Sequence, residues 1–534
     1  MRRDELTDLR AVSSAATCMP PANGVAIGIS AAATSTSTDI KVATAYNPSF
    51  AALAVICGLT AFPPLTMEVY IPSLPSLEHE MHTSATWILS TISVYTVGFS
   101  IMQIVLGPVS DVLGRRALLL AGLVTYVISC AGAACTTSVE MLLVPRVTQS
   151  FGSACAVILA QAILRDLLDK ERRESVMVYF AIVRSCAPLI APVIGSFLEA
   201  AFGWRSSFWF LTASGSGALL GVYLLVPESL LAERRQPSMR CGALVSSLSY
   251  LVVQRRFLCW ALPEAFGFAG LFVYISTSSY ILQQFYGVPV ILFGLLYCVT
   301  FLGAVAGSSS VHTLRRRCGL SSAATFRLGL ALCSGTGLAL ACFSFSPLAV
   351  EPSAASQLFL QTCMVVYAFG RSISMVQAQV QSLEPFPRQA AAAAGLMGSI
   401  RSAFVAGVSL AAGQLLEGGR DPRHACRFIC LLAISSHALN LLLRPRNSEK
   451  QASGLHSAST SKRDSELSEH SEPSTANMLQ SAAADLRLSN EAVEELRRAH
   501  AHANADHEGN ARHEKAAAST IVTTESRKCD EQGD

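Results

Sequence analysis

Twelve long apolar runs constrain the fold of this chain more than any other feature of its sequence. A helix needs about 20 mostly apolar residues to cross a bilayer, and the runs have about that length. Their hydrophobicity is uninterrupted, which favours helices over the short alternating strands of a membrane barrel. The runs cover residues 49–71, 86–107, 117–138, 140–163, 175–199, 207–226, 257–282, 289–311, 323–346, 355–379, 389–416 and 424–443. We therefore expect an all-α membrane protein with twelve transmembrane helices.

The distribution of charge supports a membrane location for most of the chain. Charged residues make up 14% of its 534 residues, against about 25% in an average soluble protein. Residues 444–534 hold 12 of the 40 basic and 16 of the 37 acidic side chains. Residues 1–443 therefore have a still lower fraction of charged residues than the whole chain. Such a stretch cannot cover a water-facing surface, which excludes a soluble globular enzyme and a nucleic-acid binder.

Basic residues in the connecting segments predict the orientation of the spans, because they are enriched in cytoplasmic loops. The even-numbered connections hold 16 Lys and Arg, whereas the odd-numbered ones hold 4. This predicts an integral multi-pass protein with both termini and residues 227–256 in the cytoplasm. Arg420, Arg423 and Arg427, near the start of span 12, run against the bias. Both a plasma membrane and an organelle membrane are compatible with this prediction.

A long central connection divides the spans into six and six. Residues 49–226 would form an N-terminal six-helix bundle and residues 257–443 a C-terminal one, joined by the cytoplasmic linker loop 227–256. Paired repeats of this kind hold a site between them near the middle of the membrane. Residues 1–48, rich in Ser, Thr and Ala, and residues 444–534, which lack aromatic side chains, are predicted to be disordered cytoplasmic extensions.

The connection between spans 2 and 3 carries the sharpest local signal, the sequence GPVSDVLGRR that begins at Gly107. Gly107 would let helices approach closely, and Gly114 would permit a tight reversal of the chain. Asp111 can lie by a helix N-terminus, and Arg115 or Arg116 can pair with an acid. The spacing indicates a short structured turn rather than a plain pair of basic residues.

A second signal is an acid at the edge of span 1. Glu68 lies in the sequence MEVYIPSLP, and an acid in such a position is costly unless it faces a partner or a cavity. Arg146 opens span 4, so both side chains should lie in the outer third of the membrane, where a contact between them is possible. A carboxylate beside a cation lets protonation change a local bond. The alternative is that Glu68 reaches headgroup water while Arg146 snorkels, and the residues alone leave both open.

These motifs resemble those of the major facilitator superfamily, whose signature loop is G-x-x-x-D-x-x-G-R-[RK]. The stretch around Glu68 resembles, more narrowly, the twelve-span drug:proton antiporters of the Bcr/CflA multidrug exporter group. The turn GWRSSFW from Gly203 and the segment LEPFP from Leu383 resemble the same group. The resemblance covers about residues 50–443. It implies a major facilitator fold of two six-helix bundles that exports a small compound by alternating access.

The resemblance also implies roles for individual residues. In that family the signature loop latches the cytoplasmic side, and one of its basic residues pairs with an acid at the end of span 4, the position of Asp166 here. The span 1 acid, which is Glu68 in place of the usual Asp, takes part in proton or substrate handling. Arg146 and Gln149 lie in the stretch of span 4 that resembles the proton-coupling motif.

Span 5 contains the sequence APLIAPVIG, which resembles the antiporter motif of exporters. Pro188 and Pro192 should kink this helix, and Gly195 should allow close packing against a neighbour. We expect this helix to move during transport.

Four further charges lie inside apolar runs: Arg184, Glu264, Arg371 and Arg401. For any single one of them, snorkelling or a structural ion pair is the commoner explanation. Their sum favours a polar cavity that accepts an acidic or zwitterionic solute.

Together these features predict a secondary transporter that exports a small organic compound or drug in exchange for protons. The alternatives are a facilitative or proton-symport importer of a metabolite on the same fold and, more distantly, a non-transporting membrane sensor.

The chain lacks a G-x-x-x-x-G-K-[ST] phosphate loop, a G-x-S-x-G motif and a metal-ligand cluster in its spans, so we expect neither an enzyme nor a cofactor. The expected partners are the small-molecule substrate, protons and the lipid bilayer, but no nucleic acid, and the protein is predicted to be monomeric.

Overall fold

The twelve apolar runs fold as twelve long helices in the computed structural model, which describes residues 48–230, 233, 235–238 and 241–443. Each helix has the length and hydropathy needed to cross a membrane. The spans are Phe50–Glu80, Ala85–Leu113, Arg115–Ala134, Val139–Leu167, Glu171–Phe202, Arg205–Leu225, Arg255–Phe285, Val290–Arg316, Ser322–Ser344, Ala354–Leu383, Ala390–Glu417 and Pro422–Leu443. The predicted all-α fold is thereby confirmed, and the structure has no strand among the residues it describes.

The predicted disordered extensions at 1–48 and 444–534 lie outside the described residues, apart from residue 48. The two six-helix halves between them belong to one compact unit.

Span 1 is longer than its apolar run and is not one regular helix. Short 3₁₀ segments and turns separate its three helices, Phe50–Gly58, Phe62–Glu68 and Leu74–Glu80. The second and third helices each begin with a proline in the first or second position, where the missing N–H costs least. The run appeared to end at residue 71 because the following residues are more polar, yet Pro72 and Ser73 are buried.

The predicted linker loop at 227–256 contains a helix, so the loop assignment is incomplete. Residues Cys241–Val253 form this linker helix. It packs on the C-terminal half, where Leu251 is buried with Phe257 and the ring of Tyr250 meets that of Phe386 edge-on at 6.3 Å. Its sequence is apolar and free of proline, which explains why it becomes helical once it lies against the bundle.

The halves pack through small residues. We call the end of the bundle that holds Gly114 and the linker helix the linker end, and the opposite end the distal end. Spans 2 and 11 approach closely enough for Ser100 and Ser399 to donate to each other's carbonyl oxygens at 2.8 and 2.7 Å. Spans 5 and 8 meet at Gly294, where a Cβ atom would lie 2.9 Å from the oxygen of Pro192. Small residues allow such approaches.

The two halves also meet at the distal end. Gln283 of span 7 donates to the oxygen of Pro72 at 2.9 Å, and Arg420 pairs with Glu78 of span 1 at 2.8 Å. The hydroxyl of Tyr280 donates to the oxygen of Leu74 at 3.4 Å. These bonds close the distal end across the boundary between the halves.

Candidate functional site

The signature loop brings spans 2, 3 and 4 together at the linker end. Gly114 has a φ of +94°, which suits glycine and lets span 3 start immediately after span 2. Arg115 then lies between two acids, with its Nε 2.6 Å from Asp166 and an Nη 2.9 Å from Asp111. The other Nη donates to the hydroxyl of Ser110 at 2.9 Å. One arginine thus joins three helices through charge-assisted hydrogen bonds.

One residue of the loop behaves differently from the sequence-based expectation, and Arg115 rather than Arg116 supplies the expected pair with an acid. A Cβ atom on Gly107 would meet no described heavy atom within 4 Å, so the predicted close approach at Gly107 is wrong in this conformation. Arg116 does not pair with an acid among the described residues; it donates to the oxygen of Tyr223 at 2.6 Å and its guanidinium lies 5.8 Å from that ring.

Sequence reasoning missed Glu228 as a member of this site. Its carboxylate accepts the backbone N–H groups of Arg115 and Arg116 at 3.0 and 3.2 Å. These are the first two residues of span 3, whose free N–H groups favour a negative charge. The next residue, Ser229, donates to Asp166 at 3.1 Å. An acid three positions after the end of span 6 was the available signal, but the sequence does not say which helix it reaches.

Arg146 is the centre of a second buried site, nearer the distal end. It is fully buried and donates to the side chain of Gln149 at 2.8 Å and to the hydroxyl of Tyr70 at 3.0 Å. It also donates to the backbone oxygen of Thr66 at 3.2 Å. Its guanidinium lies 4.4 Å from the ring of Tyr70 and 4.9 Å from that of Tyr95. Neutral oxygens and aromatic faces therefore hold this cation and join spans 1, 2 and 4.

The structure does not bring Glu68 and Arg146 together, so the contact weighed from the sequence is absent between these two described residues. Thr66 and Tyr70 are the span 1 residues that face Arg146. Glu68 is two positions from each, and residues two apart on a helix do not share a face.

Glu68 instead lies near the other half of the protein. It is buried, and its Oε2 has no hydrogen-bond partner among the described residues. Tyr297 of span 8 is close enough to interact electrostatically with it, and the hydroxyl of Tyr297 is also buried without a described partner. The carboxylate therefore lies in a polar but unsatisfied environment between spans 1 and 8.

Span 5 completes this environment. A Cβ atom on Gly195 would lie 1.8 Å from the backbone oxygen of Val69, so spans 1 and 5 touch next to Glu68. The neighbouring Ser196 is buried with an unpartnered hydroxyl, and a Cβ on Gly294 of span 8 would lie 2.6 Å from it. The helix continues through both Pro188 and Pro192. Spans 1, 5 and 8 thus cross at one level.

The four isolated charges form a third cluster. Glu264 of span 7 lies 3.4 Å from an Nη of Arg371 in span 10 and 3.8 Å from an Nη of Arg401 in span 11. Arg184 of span 5, in the other half, is close enough to interact electrostatically with all three. The guanidinium groups of Arg371 and Arg401 lie 4.3 and 5.4 Å from the centre of the Phe268 ring. The predicted polar cavity residues are therefore brought together.

This cluster and Glu68 lie at different depths. The four charged residues are about 9 to 13 residues from the linker end of their spans, which is about 14–20 Å along a helix. Glu68 lies nearer the distal end of span 1. In the part of the chain that the structure describes, no group of three His, Cys, Asp or Glu side chains could hold a metal ion.

Comparison with known proteins gives a consistent result. The sequence profile of the Major Facilitator Superfamily matches residues 56–409. A bicyclomycin resistance protein homolog of Haemophilus influenzae is 26% identical over 348 residues, which cover 65% of this chain and 84% of the relative. The multidrug resistance protein MdtL of Escherichia coli is 26% identical over 350 residues, with 64% and 84% covered. A chloramphenicol resistance protein of Pseudomonas aeruginosa is 28% identical over 243 residues, with 45% and 56% covered.

Solved structures support the fold alone. The nucleoside transporter NupG (D323A mutant) superposes with a TM-score of 0.60 at 14% identity, over 73% of this chain and 98% of that one. A D-xylose–proton symporter superposes with a TM-score of 0.58 at 15% identity, over 75% and 98%.

Proposed function

Because this chain belongs to the Major Facilitator Superfamily, we propose that it exports a small organic compound in exchange for protons. A superfamily member is a membrane transporter and not an enzyme. The relatives named for resistance to bicyclomycin, to chloramphenicol and to several drugs support the direction of transport and a drug-like cargo. One chain contains both halves of the pathway, so a monomer suffices.

The proposed orientation places the linker end in the cytoplasm. The excess of basic residues in the even-numbered connections supports it. The arginines at the distal end weaken the case less than their number suggests, because acids neutralise them: Arg205 pairs with Glu80, and Arg423 lies 2.7 Å from Asp421. With this orientation, the described state is closed towards the outside by the contacts at the distal end.

The buried, unpartnered carboxylate of Glu68 is the observation that carries proton coupling. An ionised carboxylate is costly to bury without a partner, and a bound proton removes that charge. We expect Glu68 to bind a proton when the distal end is open, which lets spans 1, 5 and 8 close around it. The proton leaves when the linker end is open. The substrate then binds and is carried outwards as the protein returns to the state that is open at the distal end.

Arg146 and Gln149 act in this scheme by positioning span 1 rather than by a direct contact with Glu68. Their bonds to Thr66 and Tyr70 hold the segment on either side of Glu68 against span 4. The acid is therefore presented towards span 8 in a fixed orientation, so that gain or loss of its proton acts on the boundary between the halves.

The signature loop serves as the latch of the linker end. In the described state its partners lie in the N-terminal half and the linker, since Asp111, Asp166 and Glu228 all bind Arg115. This network keeps spans 2, 3 and 4 as one rigid body. Closure of the linker end would bring the loop against the C-terminal half.

Proteoliposomes that contain the purified protein and an internal pH-sensitive dye test the proposal. Bicyclomycin and chloramphenicol would be added as candidate substrates to the native chain, to Glu68→Gln and to the matched control Glu351→Gln, an exposed residue at the distal end. We expect protons to move opposite to the substrate in the native and control proteins and to stop moving in Glu68→Gln. Movement of protons and substrate in the same direction would favour the symport importer, and substrate flux without protons would favour a facilitative carrier.

A further inference from the structure

We propose that Arg184, Arg371 and Arg401 form the substrate subsite and that they bind the anionic group of an organic anion. The inference rests on the transport function proposed above and names the class of its substrate. It names a substrate class that the drug-resistance names of the relatives do not give.

The first argument is the balance of charge. Arg371 and Arg401 contact a single carboxylate, Glu264, and Arg184 lies within electrostatic range of all three, so the cluster carries two positive charges in excess. Glu264 is 2% exposed and Arg371 is 8% exposed. Arg184 and Arg401 are half-buried, and a surplus of charge that is partly screened from water is costly unless a counter-ion joins it. A substrate anion supplies the missing negative charge.

The second argument is the unused hydrogen-bonding capacity. The contacts of Glu264 with Arg371 and Arg401, at 3.4 and 3.8 Å, are longer than the 2.7–2.9 Å or so of a well-formed charge-assisted bond. The Nε of Arg371 and the Oε2 of Glu264 are buried without a partner among the described residues. Each arginine has five N–H donors, so one loosely held carboxylate leaves most of them available to an acidic oxygen.

The third argument is position. Arg184 belongs to the N-terminal half, whereas Arg371 and Arg401 belong to the C-terminal half. An anion held by all three bridges the two halves and favours their approach, as a substrate must in alternating access. The cluster lies deep in the spans and on the linker-end side of Glu68, where a compound from the cytoplasm arrives first.

The surroundings indicate an anion with an apolar body. The Phe268 ring lies under both Arg371 and Arg401. The rings of Phe266 and Phe404 pack 4.6 Å apart on spans 7 and 11, near Glu264 and Arg401 in sequence. A flat hydrophobic group next to a carboxylate or sulfonate matches this combination of donors and aromatic rings.

Glu264 acts as an internal counter-ion in this scheme. It holds Arg371 and Arg401 in the absence of substrate and competes with the incoming anion for them. Removal of its charge therefore has a distinctive consequence: Glu264→Gln should bind an anion more tightly than the native protein, whereas loss of any arginine should weaken binding.

Equilibrium binding to purified protein in detergent tests the inference without a proton gradient. The probes are naphthalenesulfonate, the neutral naphthalenesulfonamide and the cationic naphthylmethylammonium. We expect the anion to bind at least about tenfold more tightly than either analogue. We also expect Arg184→Gln and Arg401→Gln each to weaken anion binding by about tenfold or more, with Arg317→Gln, an exposed linker-end arginine, as the unaffected control.

Equal binding of the three probes, or weaker anion binding in Glu264→Gln, would overturn the proposal. Arg184 and Arg401 are more exposed than Arg371, so they carry the test if Arg371→Gln does not fold. The outcome is independent of proton coupling. Selective anion binding with no proton movement would support the subsite and contradict the antiport mechanism. Proton-coupled transport of neutral compounds alone would support the antiport mechanism and contradict the subsite.

Discussion

Gly195 touches the backbone of Val69: a Cβ atom on Gly195 would lie 1.8 Å from the carbonyl oxygen of Val69. Spans 1 and 5 therefore meet backbone to backbone, one residue after the buried acid Glu68. A shift of span 5 at this level must carry that carbonyl with it or break the contact. The contact links the proposed moving helix mechanically to the proposed proton site.

Gly195→Ala should consequently destabilise the protein and slow transport. Backbone atoms cannot turn aside as a flexible side chain can, so the added methyl group has to separate the two helices, at a cost of about 1–3 kcal/mol. Thermal unfolding in detergent and substrate flux measure the two effects. Gly217→Ala is the matched control, because a Cβ there would meet no described heavy atom within 4 Å. Equal behaviour of the two variants would contradict the proposed role of the contact.

Glu228→Ala should loosen the start of span 3. The substitution removes the acceptor of the Arg115 and Arg116 backbone N–H groups, and loss of such a cap costs about 0.5–2 kcal/mol. Hydrogen exchange of the amides at the start of span 3 should speed up, while exchange in span 9 stays unchanged. Glu384→Ala, another acid at the linker end, serves as the control. Unaltered exchange in Glu228→Ala would show that water replaces the carboxylate without loss.

Arg146→Lys should lower stability even though it keeps the charge. Arginine donates at once to Thr66, Tyr70 and Gln149, whereas a lysine ammonium cannot reproduce this planar set of bonds. Two lost hydrogen bonds to a charged group amount to about 3 kcal/mol or more. The midpoint of thermal unfolding measures the effect, and Glu68→Gln should leave that midpoint close to the native one. A larger loss in Glu68→Gln than in Arg146→Lys would contradict the separation of the two sites.

Glu78→Arg should open the distal end, because it places a like charge opposite Arg420. The pair is only partly buried, so the effect should be about 0.5–1 kcal/mol, a two- to fivefold change in the population of the distal-open state. Spin labels at His82 and Glu351, both exposed at the distal end on different halves, report the opening as a longer distance. The double variant Glu78→Arg/Arg420→Glu should restore the native distance. If it does not, the ion pair does not control closure.

The fold was largely predictable because membrane spans are local features. Span 3, for example, was expected at 117–138 and runs from Arg115 to Ala134. The larger misses concern polar segments that gain structure by packing. Residues 72–80 looked like a loop but extend span 1, and the linker helix Cys241–Val253 forms on the surface of the C-terminal half. Neither contact can be read from hydropathy.

The sequence identified most residues of the candidate sites, but it could not identify which residues contact each other. An intramembrane acid such as Glu68 signals a functional role because its burial is costly. Which group it faces depends on the rotation of span 1 about its own axis, and that rotation turned it away from Arg146. Glu228 shows the same limit, since it contacts a helix start 113 positions earlier in the chain.

The sequence by itself determined the twelve spans, since each span satisfies its own backbone hydrogen bonds and needs only a sufficient apolar length to lie in a bilayer. It also determined that the spans carry four charges besides Glu68 and Arg146 that must find partners within the protein. Only the tertiary structure decided that Arg184 comes within electrostatic range of Glu264, Arg371 and Arg401 from the opposite half, and that Glu68 does so with Tyr297 of span 8. These arrangements depend on how helices far apart in sequence pack against each other, and the steric fit of residues such as Gly195 and Gly294 selects that packing.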